Sequence, residues 1–526
     1  LGAGVHDPDE PASEFGVGAS SAVAIPVLNL GTEWREVRFS GAATGGGMVA
    51  TVSHVDTASS YRVPPGQLAY VPLLLTISTP IPQSKKRCPF KLLLQVSSRG
   101  ALADSSAWST HTATATQAAL QLSLRCRTTR QSFVFTFVDH DGSVARAAAI
   151  APLPPAFGRQ VDAHGAGVVL SQHGTGVDVS MQADSYKYKP VAHANDDATP
   201  YTFGVEGAWV LAPTRNGAHN WEYTGFLSAV AALAHLGDGS AYPAAIAPRL
   251  PIADVRHRVL FAGHSMGGHG AWQSATHLSD RAVAVASAAG WIRKEYYGDS
   301  NTFFVHDVGH AHIDPSLKAV LEACFTEYNA DLHSSNLKGV GPGGVLARIG
   351  AQDRAVPPWQ VRRMVRLLRE HGVGVQYEEL PGKEHWWWDS DRANDGGVLN
   401  DKAMRQFFSQ AFAGNLARRR TFPDTFESVT FNPASSEGRA GCRILQQRTP
   451  FQVSRLRFRR RRKEEDIGDH WDVTTTNARR LAFFPEMLCV AAPCTIALDN
   501  SFRYAVPAHD KLGASSMVEF CLEEKM

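Results

Sequence analysis

The segment Gly263-His264-Ser265-Met266-Gly267 matches the G-x-S-x-G pattern that can present a serine for nucleophilic attack. An apolar run typical of a buried strand, 258–262, precedes it, and a helical run, 268–278, follows it. A serine at such a strand–turn–helix corner has a strained backbone, and glycines are needed on both sides because larger side chains would clash. The context predicts Ser265 as a nucleophile, whereas an ordinary glycine-rich turn is the alternative.

A serine hydroxyl becomes reactive only when a base takes its proton, and a third group usually orients that base. In chains with this corner, the acid follows the serine in the sequence, and the histidine follows the acid. Asp353 follows the strand-like run 345–349, and His385 follows the run 375–380. Both positions lie just past a strand, so we predict His385 as the base and Asp353 as its acid.

Other residues can be considered for the acid. Glu384 and Asp389 are also carboxylates, but they share the loop of His385 itself, and we prefer Asp353 for this reason. Asp353 also has a purely structural alternative, as the cap of the helix that follows it.

Acyl transfer further needs two N–H donors that face the developing oxyanion. The backbone of Met266, directly after the nucleophile, is expected to supply one of them. The loop His173-Gly174-Thr175-Gly176 follows an early strand, and Gly174 and Thr175 are the candidates for the other. A plain β-turn is the alternative for this loop.

Three tryptophans, Trp386, Trp387 and Trp388, follow the predicted base directly. We expect Trp386 and Trp387, together with His264, to line the substrate pocket. The alternative is packing beneath the histidine loop, because three consecutive aromatic side chains cannot all face one way.

No metal site and no cofactor are predicted. His306, His310 and His312 lie near Asp307 and Asp314, but their spacing matches no established ligand pattern, and the predicted chemistry needs no metal. The basic run 459–463 is followed at once by acidic residues, which favours a solvated hairpin loop over a polyanion-binding patch.

The bulk composition narrows the class of protein. The chain has 526 residues, 44% hydrophobic and 19% charged, and its net charge is +2, so we expect a globular protein without a nucleic-acid partner. No apolar run reaches the ~20 residues of a membrane helix, so no integral membrane segment is expected. The expected partner is a small peptide or ester substrate, and the oligomeric state stays open.

The compartment also stays open. The chain starts at Leu1 rather than Met, so we expect a longer natural chain and leave secretion possible. The seven cysteines are scattered, and Cys88 and Cys126, which flank strand-like runs in one region, could pair in an oxidising compartment.

Hydrophobic patterning predicts three folded regions after a loose tail, 1–20. Short β runs over 21–155 indicate an N-terminal β-sandwich-like domain. Strands alternate with helices over 156–415, which indicates an α/β domain with a doubly wound, mostly parallel sheet and a lid-like insertion at about 291–341. Residues 416–526 are expected to form a small β-rich region.

These motifs resemble the catalytic domain of the prolyl oligopeptidase family of serine peptidases. The resemblance covers about half the chain, 161–413, and rests on the HGTG loop, the GHSMGG corner, the turn at Asp353 and the loop at His385. It implies an α/β-hydrolase fold, a Ser-Asp-His triad and peptide or amide substrates.

The chain differs from that family in one respect, and it is also similar to a second family. That family carries an N-terminal β-propeller of ~40–45 residues per blade, whereas only about 150 residues without a repeat precede this region. The corner and the residues after it, 263–271, are also similar to esterase D, the S-formylglutathione hydrolase family.

Three functions follow from these patterns. A serine-type peptidase is the first expectation, and a carboxylesterase or thioesterase of the same fold is the second, because both use the same apparatus. A non-catalytic binding protein on a hydrolase scaffold is the third, and the presence of all four motifs speaks against it.

Overall fold

The structure is a computed structural model of the chain. It describes residues 4–6, 16–17, 22–45, 48–55, 60–77, 87–100, 109–111, 119–128, 130–153, 165–189, 201–215, 217, 219–239, 250–297, 314–341, 344–387, 397–413, 422–461, 468–489, 494–506 and 517–522. No helix in these ranges is long and apolar enough to span a membrane.

The strands of the described residues are numbered in chain order. They are β1 (Gly4–His6), β2 (Gly16–Val17), β3 (Ala22–Leu28), β4 (Arg35–Gly45), β5 (Met48–His54), β6 (Tyr61–Val63), β7 (Leu68–Ile77), β8 (Arg87–Gly100), β9 (Ser109–His111), β10 (Ala119–Thr128), β11 (Phe133–Val138), β12 (Val144–Ile150), β13 (Gly167–Gln172), β14 (Lys187–Tyr188), β15 (Thr202–Phe203), β16 (Ala208–Pro213), β17 (Val259–His264), β18 (Ala282–Ala288), β19 (Gly344–Gly350), β20 (Val375–Leu380), β21 (Thr425–Thr430), β22 (Cys442–Gln447), β23 (Ser454–Arg461), β24 (Asp469–Thr476), β25 (Ala478–Phe483), β26 (Cys494–Leu498), β27 (Phe502–Val506) and β28 (Val518–Cys521).

The helices of the described residues are fewer. The α-helices are α1 (Val179–Asp184), α2 (Thr224–Gly237), α3 (Met266–His277), α4 (Pro315–Thr326), α5 (Pro358–Glu370), α6 (Gly397–Asn400), α7 (Lys402–Phe412) and α8 (Pro485–Leu488). Two 3₁₀ helices span Lys294–Tyr296 and Ala330–Leu337.

The chain divides into two compact units. The first contains Leu1–Leu170, Val177–Ala218 and Leu227–Val255, and the second contains Ser171–Gly176, His219–Phe226 and Arg256–Met526. Every residue of the predicted site therefore belongs to the second unit.

The main sheet has eight strands in the order β11-β12-β16-β13-β17-β18-β19-β20. The pairs β13–β16, β17–β18, β18–β19 and β19–β20 are parallel, whereas β11–β12 and β12–β16 are antiparallel. Every residue of β13, β16, β17 and β18 is buried, which is typical of strands covered on both faces. The sheet is mixed and mostly parallel, and the predicted α/β-hydrolase fold class is confirmed.

Two strands lie in a different sheet from the one the sequence predicted. The hairpin of β11 and β12 was assigned to the N-terminal domain, but β12 pairs with β16 of the main sheet. The last four residues of β12 are all buried, so this hairpin extends a covered sheet. The remaining N-terminal strands, β1 to β10, form a β-rich region with a ten-stranded sheet of their own.

The C-terminal region is β-rich, as the sequence predicted. Strands β21, β23, β24, β26 and β27 form one sheet, and β22, β25 and β28 form another. The end of the basic run, 459–461, lies on β23, where Arg460 and Arg461 form ion pairs with Asp469 and Asp472 of β24. Residues 459–461 thus lie on a strand and not in the predicted hairpin loop, and residues 462–467 lie outside the described residues.

One cysteine pairing was not anticipated from the sequence. Cys489 and Cys494 form a disulfide between α8 and β26. The side chains of Cys88 and Cys126, the predicted pair, lie outside the described residues.

The predicted lid segment is only partly a surface segment. Helix α4 has no buried residue, whereas most residues of the 3₁₀ helix Ala330–Leu337 are buried. This 3₁₀ helix contacts α3 and β21, so it belongs to the interior of the second unit, and the lid prediction is wrong for it. Residues 298–313, which include His306, His310 and His312, lie outside the described residues.

Candidate active site

Ser265 occupies the sharp corner between β17 and α3. Its backbone angles are φ 59° and ψ −120°, a strained combination for a residue with a side chain. A Cβ on Gly267 would lie 1.7 Å from the carbonyl oxygen of Gln172, and a Cβ on Gly263 would lie 2.2 Å from the carbonyl oxygen of Gly267. Both glycines are therefore required by close backbone approach, as the sequence predicted.

A continuous hydrogen-bond chain links the three predicted catalytic side chains. The Ser265 Oγ and the His385 Nε2 are 2.9 Å apart, and the His385 Nδ1 and the Asp353 Oδ2 are 2.8 Å apart. All three residues are buried. If Nδ1–H donates to the carboxylate, Nε2 carries the lone pair that can accept the Ser265 proton.

The carboxyl ends of two neighbouring parallel strands position the acid and the base. Asp353 lies in the turn after β19 and His385 in the loop after β20, and the Gln352 N–H donates to the Lys383 carbonyl oxygen at 2.9 Å. A Cβ on Gly350 would lie 2.2 Å from the Glu384 carbonyl oxygen, so a glycine is needed where the turn and the loop meet.

The second oxygen of Asp353 is held by its own turn. Asp353 Oδ1 accepts hydrogen bonds from the backbone N–H groups of Ala355, at 2.9 Å, and Val356, at 2.8 Å. These bonds leave Oδ2 for the histidine. Glu384 is exposed, and Asp389 lies outside the described residues.

His264 is buried against His385. Its Nε2 is 2.8 Å from the His385 carbonyl oxygen, and the two rings are 4.7 Å apart between centroids. Burial, and to a lesser degree the charge of His385, lowers the pKa of His264 to about 3. A neutral His264 can donate from Nε2 to this carbonyl and support the loop of His385, and the pocket role of His264 stays a prediction.

The loop of the predicted oxyanion donors lies against the nucleophile. A Cβ on Gly174 would contact the Ser265 Cβ at 3.6 Å, and the Thr175 Oγ1 is 3.8 Å from the Met266 Sδ. Met266 is the first residue of α3, where a backbone N–H has no intrahelical acceptor. Within the described part of the chain, the N–H groups of Gly174 and Thr175 have no hydrogen-bond acceptor either. All three N–H groups are therefore available near Ser265.

The consecutive tryptophans separate into two environments. Trp386 is 43% exposed, and its ring centroid is 5.4 Å from that of His385. Trp387 is 6% exposed and packs in an apolar cluster with Ala288, Val398 and Leu399. Trp387 therefore packs in the interior, whereas the pocket role of Trp386 stays a prediction. Trp388 lies outside the described residues.

Sequence analysis missed one element that supports the site. Trp221 donates from Nε1 to the His173 carbonyl oxygen at 2.9 Å and so fixes the start of the donor loop. Asn220, Trp221 and Tyr223 all have positive φ, a costly arrangement for residues other than glycine. A Cβ on Gly270 would lie 2.6 Å from the Trp221 ring. No motif marks this segment, because its role depends on a contact between distant parts of the chain.

The strand order of the main sheet and the serine corner are those of the α/β-hydrolase fold. No family model matches the chain. A protein of Arthroderma benhamiae named "Uncharacterized secreted protein" is 27% identical over 251 residues, which cover 48% of this chain. The match covers 24% of that protein, so the chain spans about a quarter of the length of this relative.

Several solved structures are similar to the chain. A thermostable esterase is 16% identical with a TM-score of 0.32, over 78% of this chain and 99% of its own. A puromycin hydrolase is 16% identical with a TM-score of 0.38, over 70% of this chain and 52% of its own. An S-formylglutathione hydrolase from Staphylococcus aureus is 16% identical with a TM-score of 0.33, over 53% of this chain and 97% of its own.

Proposed function

We propose that the chain is a serine hydrolase that forms an acyl-enzyme on Ser265. The observation that carries this proposal is the buried hydrogen-bond chain from Ser265 through His385 to Asp353, with separations of 2.9 and 2.8 Å. A nucleophile, a base and an orienting acid at these separations are what acyl transfer requires.

In the first step, the Ser265 Oγ attacks the substrate carbonyl carbon while its proton moves to the His385 Nε2. The imidazolium that forms is stabilised by Asp353, whose charge faces Nδ1. His385 then gives the proton to the leaving group, and the acyl group stays on Ser265. A water deprotonated by His385 releases the acid in the second half of the reaction.

The negative charge of the tetrahedral intermediate needs donors that are already in place. The N–H of Met266 and those of Gly174 and Thr175 are available next to Ser265, as described above. Donors of this kind typically contribute ~10²–10³ in kcat each. We propose Met266 and one N–H of the donor loop as the oxyanion hole.

We further propose peptide or amide bonds as the substrates. The HGTG loop, 173–176, and the corner at Ser265 resemble those of prolyl oligopeptidases. The half-exposed Trp386 ring beside His385 offers an apolar surface for a substrate side chain.

Turnover of matched substrates tests this proposal. Purified protein would be assayed on acyl p-nitroanilides and on p-nitrophenyl esters and thioesters with the same acyl group. The peptidase proposal expects anilide and peptide turnover that disappears in Ser265→Ala. Turnover of esters or thioesters alone would move the function to the esterase alternative. The absence of turnover on every substrate would favour a binding protein on a hydrolase scaffold.

We also propose that the chain works in an oxidising compartment. The Cys489–Cys494 disulfide supports this, because such bonds persist mainly in exported proteins. The relative from Arthroderma benhamiae, which is named a secreted protein, is consistent with it. Peptide mapping without reductant should find the two cysteines joined. Alkylation of both as free thiols in protein from its native source would contradict the proposal.

A further inference from the structure

A second cluster of chemically active side chains lies at the far end of the helix that begins beside the nucleophile. His277 is the last residue of α3, and Glu327 and His333 flank the start of the 3₁₀ helix Ala330–Leu337. All three side chains are buried. The His277 Nε2 is 3.0 Å from the Glu327 Oε1, and the His333 Nε2 is 3.5 Å from the Glu327 Oε2. The three ligand atoms lie within 4.8 Å of one another.

The outer nitrogens of both rings already have partners. The His277 Nδ1 is 2.8 Å from the Gln273 carbonyl oxygen, and the His333 Nδ1 is 3.2 Å from the Asn329 carbonyl oxygen. A carbonyl only accepts, so both Nδ1 atoms must carry hydrogen. In the neutral rings, each Nε2 therefore directs a lone pair at the cluster. Metal-binding histidines are oriented in this way, with the other ring N–H donated to a carbonyl.

A divalent cation between these three side chains would satisfy the atoms that face one another in the cluster. A neutral His277 would place its Nε2 lone pair 3.0 Å from a carboxylate oxygen, and two atoms without a hydrogen repel. The buried His333 Nε2 has no hydrogen-bond partner among the described residues.

Backbone N–H groups hold the carboxylate of Glu327 in place. Its Oε2 accepts the backbone N–H groups of Phe431, at 2.7 Å, and Asn432, at 2.8 Å. Ligating carboxylates are commonly fixed by second hydrogen bonds of this kind.

We propose that His277, Glu327 and His333 bind a divalent metal of the zinc type, with a water at a fourth position. Two nitrogens and one carboxylate oxygen suit Zn²⁺. Zinc–ligand bonds of ~2.0–2.1 Å in a tetrahedron place ligand atoms roughly 3.3 Å apart. One ligand atom from each of the three residues lies within 4.8 Å of the other two, so a small movement of the side chains would bring them to that spacing.

The role of this metal is structural. His277 lies eleven residues after Met266, so the site is about 16 Å along α3 from the start of the helix beside Ser265. No ligand can reach the reacting atoms over this distance. The metal would instead join α3, the segment of Glu327 and His333, and the chain after β21, which contributes the N–H groups of Phe431 and Asn432. Structural metals stabilise the folded state because the unfolded chain lacks the assembled site.

The test is the metal content and the metal-dependent stability of the full chain. Protein purified without chelator would be analysed by elemental mass spectrometry, and chelator-treated protein would be titrated with Zn²⁺ and Co²⁺. We expect about one equivalent of metal and the absorption of tetrahedral Co²⁺. We also expect Tm to rise by about 2–5 °C at Zn²⁺ concentrations of 100 times Kd.

A matched pair of variants locates the site. His333→Gln should lose metal and the Tm response to Zn²⁺. The control is His269→Gln, which alters another buried histidine of α3. The His269 Nε2 also faces a carboxylate, the Glu222 Oε1 at 3.1 Å, but no second histidine takes part in that pair. It should keep the metal.

Three outcomes overturn the proposal. They are wild-type protein without metal and without a Zn²⁺-dependent Tm, His333→Gln with full metal content, and loss of metal from the control alone. The titration of wild-type protein decides the question even where a variant fails to fold.

Discussion

Asp353→Asn is predicted to leave the protein folded and to lower kcat by about 10⁴. Asp353 Oδ1 accepts two backbone N–H groups, of Ala355 and Val356, and an asparagine must keep its oxygen on this side. The amide nitrogen then faces the His385 Nδ1, which lies 2.8 Å from the Asp353 Oδ2. Because that nitrogen only donates, Nδ1 must become an acceptor and the ring proton moves to Nε2. The base is then in the wrong tautomer to take the Ser265 proton.

The magnitude follows from this tautomer change. Loss of the correct tautomer in comparable triads costs ~10⁴ in kcat, which corresponds to about 5.4 kcal/mol of transition-state stabilisation. The assay is kcat on an activated ester, with Tm and circular dichroism to verify folding. Glu384→Gln is the matched control, since Glu384 is exposed in the loop of the base, and it should keep kcat within about threefold. A folded Asp353→Asn enzyme within tenfold of wild type, or a larger loss in Glu384→Gln, would refute the reasoning.

Two further predictions concern packing around the site. Gly267→Ala should abolish soluble folded protein, because the added Cβ would lie 1.7 Å from a backbone oxygen. The control variant Gly374→Ala should express normally, because a Cβ there has no neighbour within 4 Å. Equal yields of the two variants would contradict this prediction. Trp387→Ala should lower the free energy of unfolding by about 3–5 kcal/mol in denaturant titrations, since the side chain is buried. Trp386→Ala, at an exposed ring, should instead raise KM on aromatic or apolar acyl substrates with little change in Tm, and the reverse pattern would show that the two roles are exchanged.

The fold class and the order of the site residues could be predicted because they depend on local patterns. The corner at Ser265 has a short-range signature, and the runs before Asp353 and His385 show that both residues follow strands. Carboxyl ends of parallel strands meet at one edge of a sheet, so the proximity of the three side chains could be expected.

The remaining features depend on contacts between distant segments, and no local pattern shows them. Strands β11 and β12 look like any β-hairpin, and only their pairing with β16 assigns them to the main sheet. Trp386 and Trp387 are identical in type and adjacent in sequence, so the sequence could not tell which one is buried. The cluster of His277, Glu327 and His333 has ligand spacings that match no short motif, because its members come from separate elements.

Covalent labelling of Ser265 tests the central claim most directly. Wild-type protein would be incubated with a fluorophosphonate, and intact mass and peptide mapping would give the stoichiometry and the modified residue. The account predicts one adduct per chain on Ser265 and none in Ser265→Ala, with Asp353→Asn labelled far more slowly. Folded wild-type protein that takes up no probe, or a Ser265→Ala variant labelled at the wild-type rate, would contradict it.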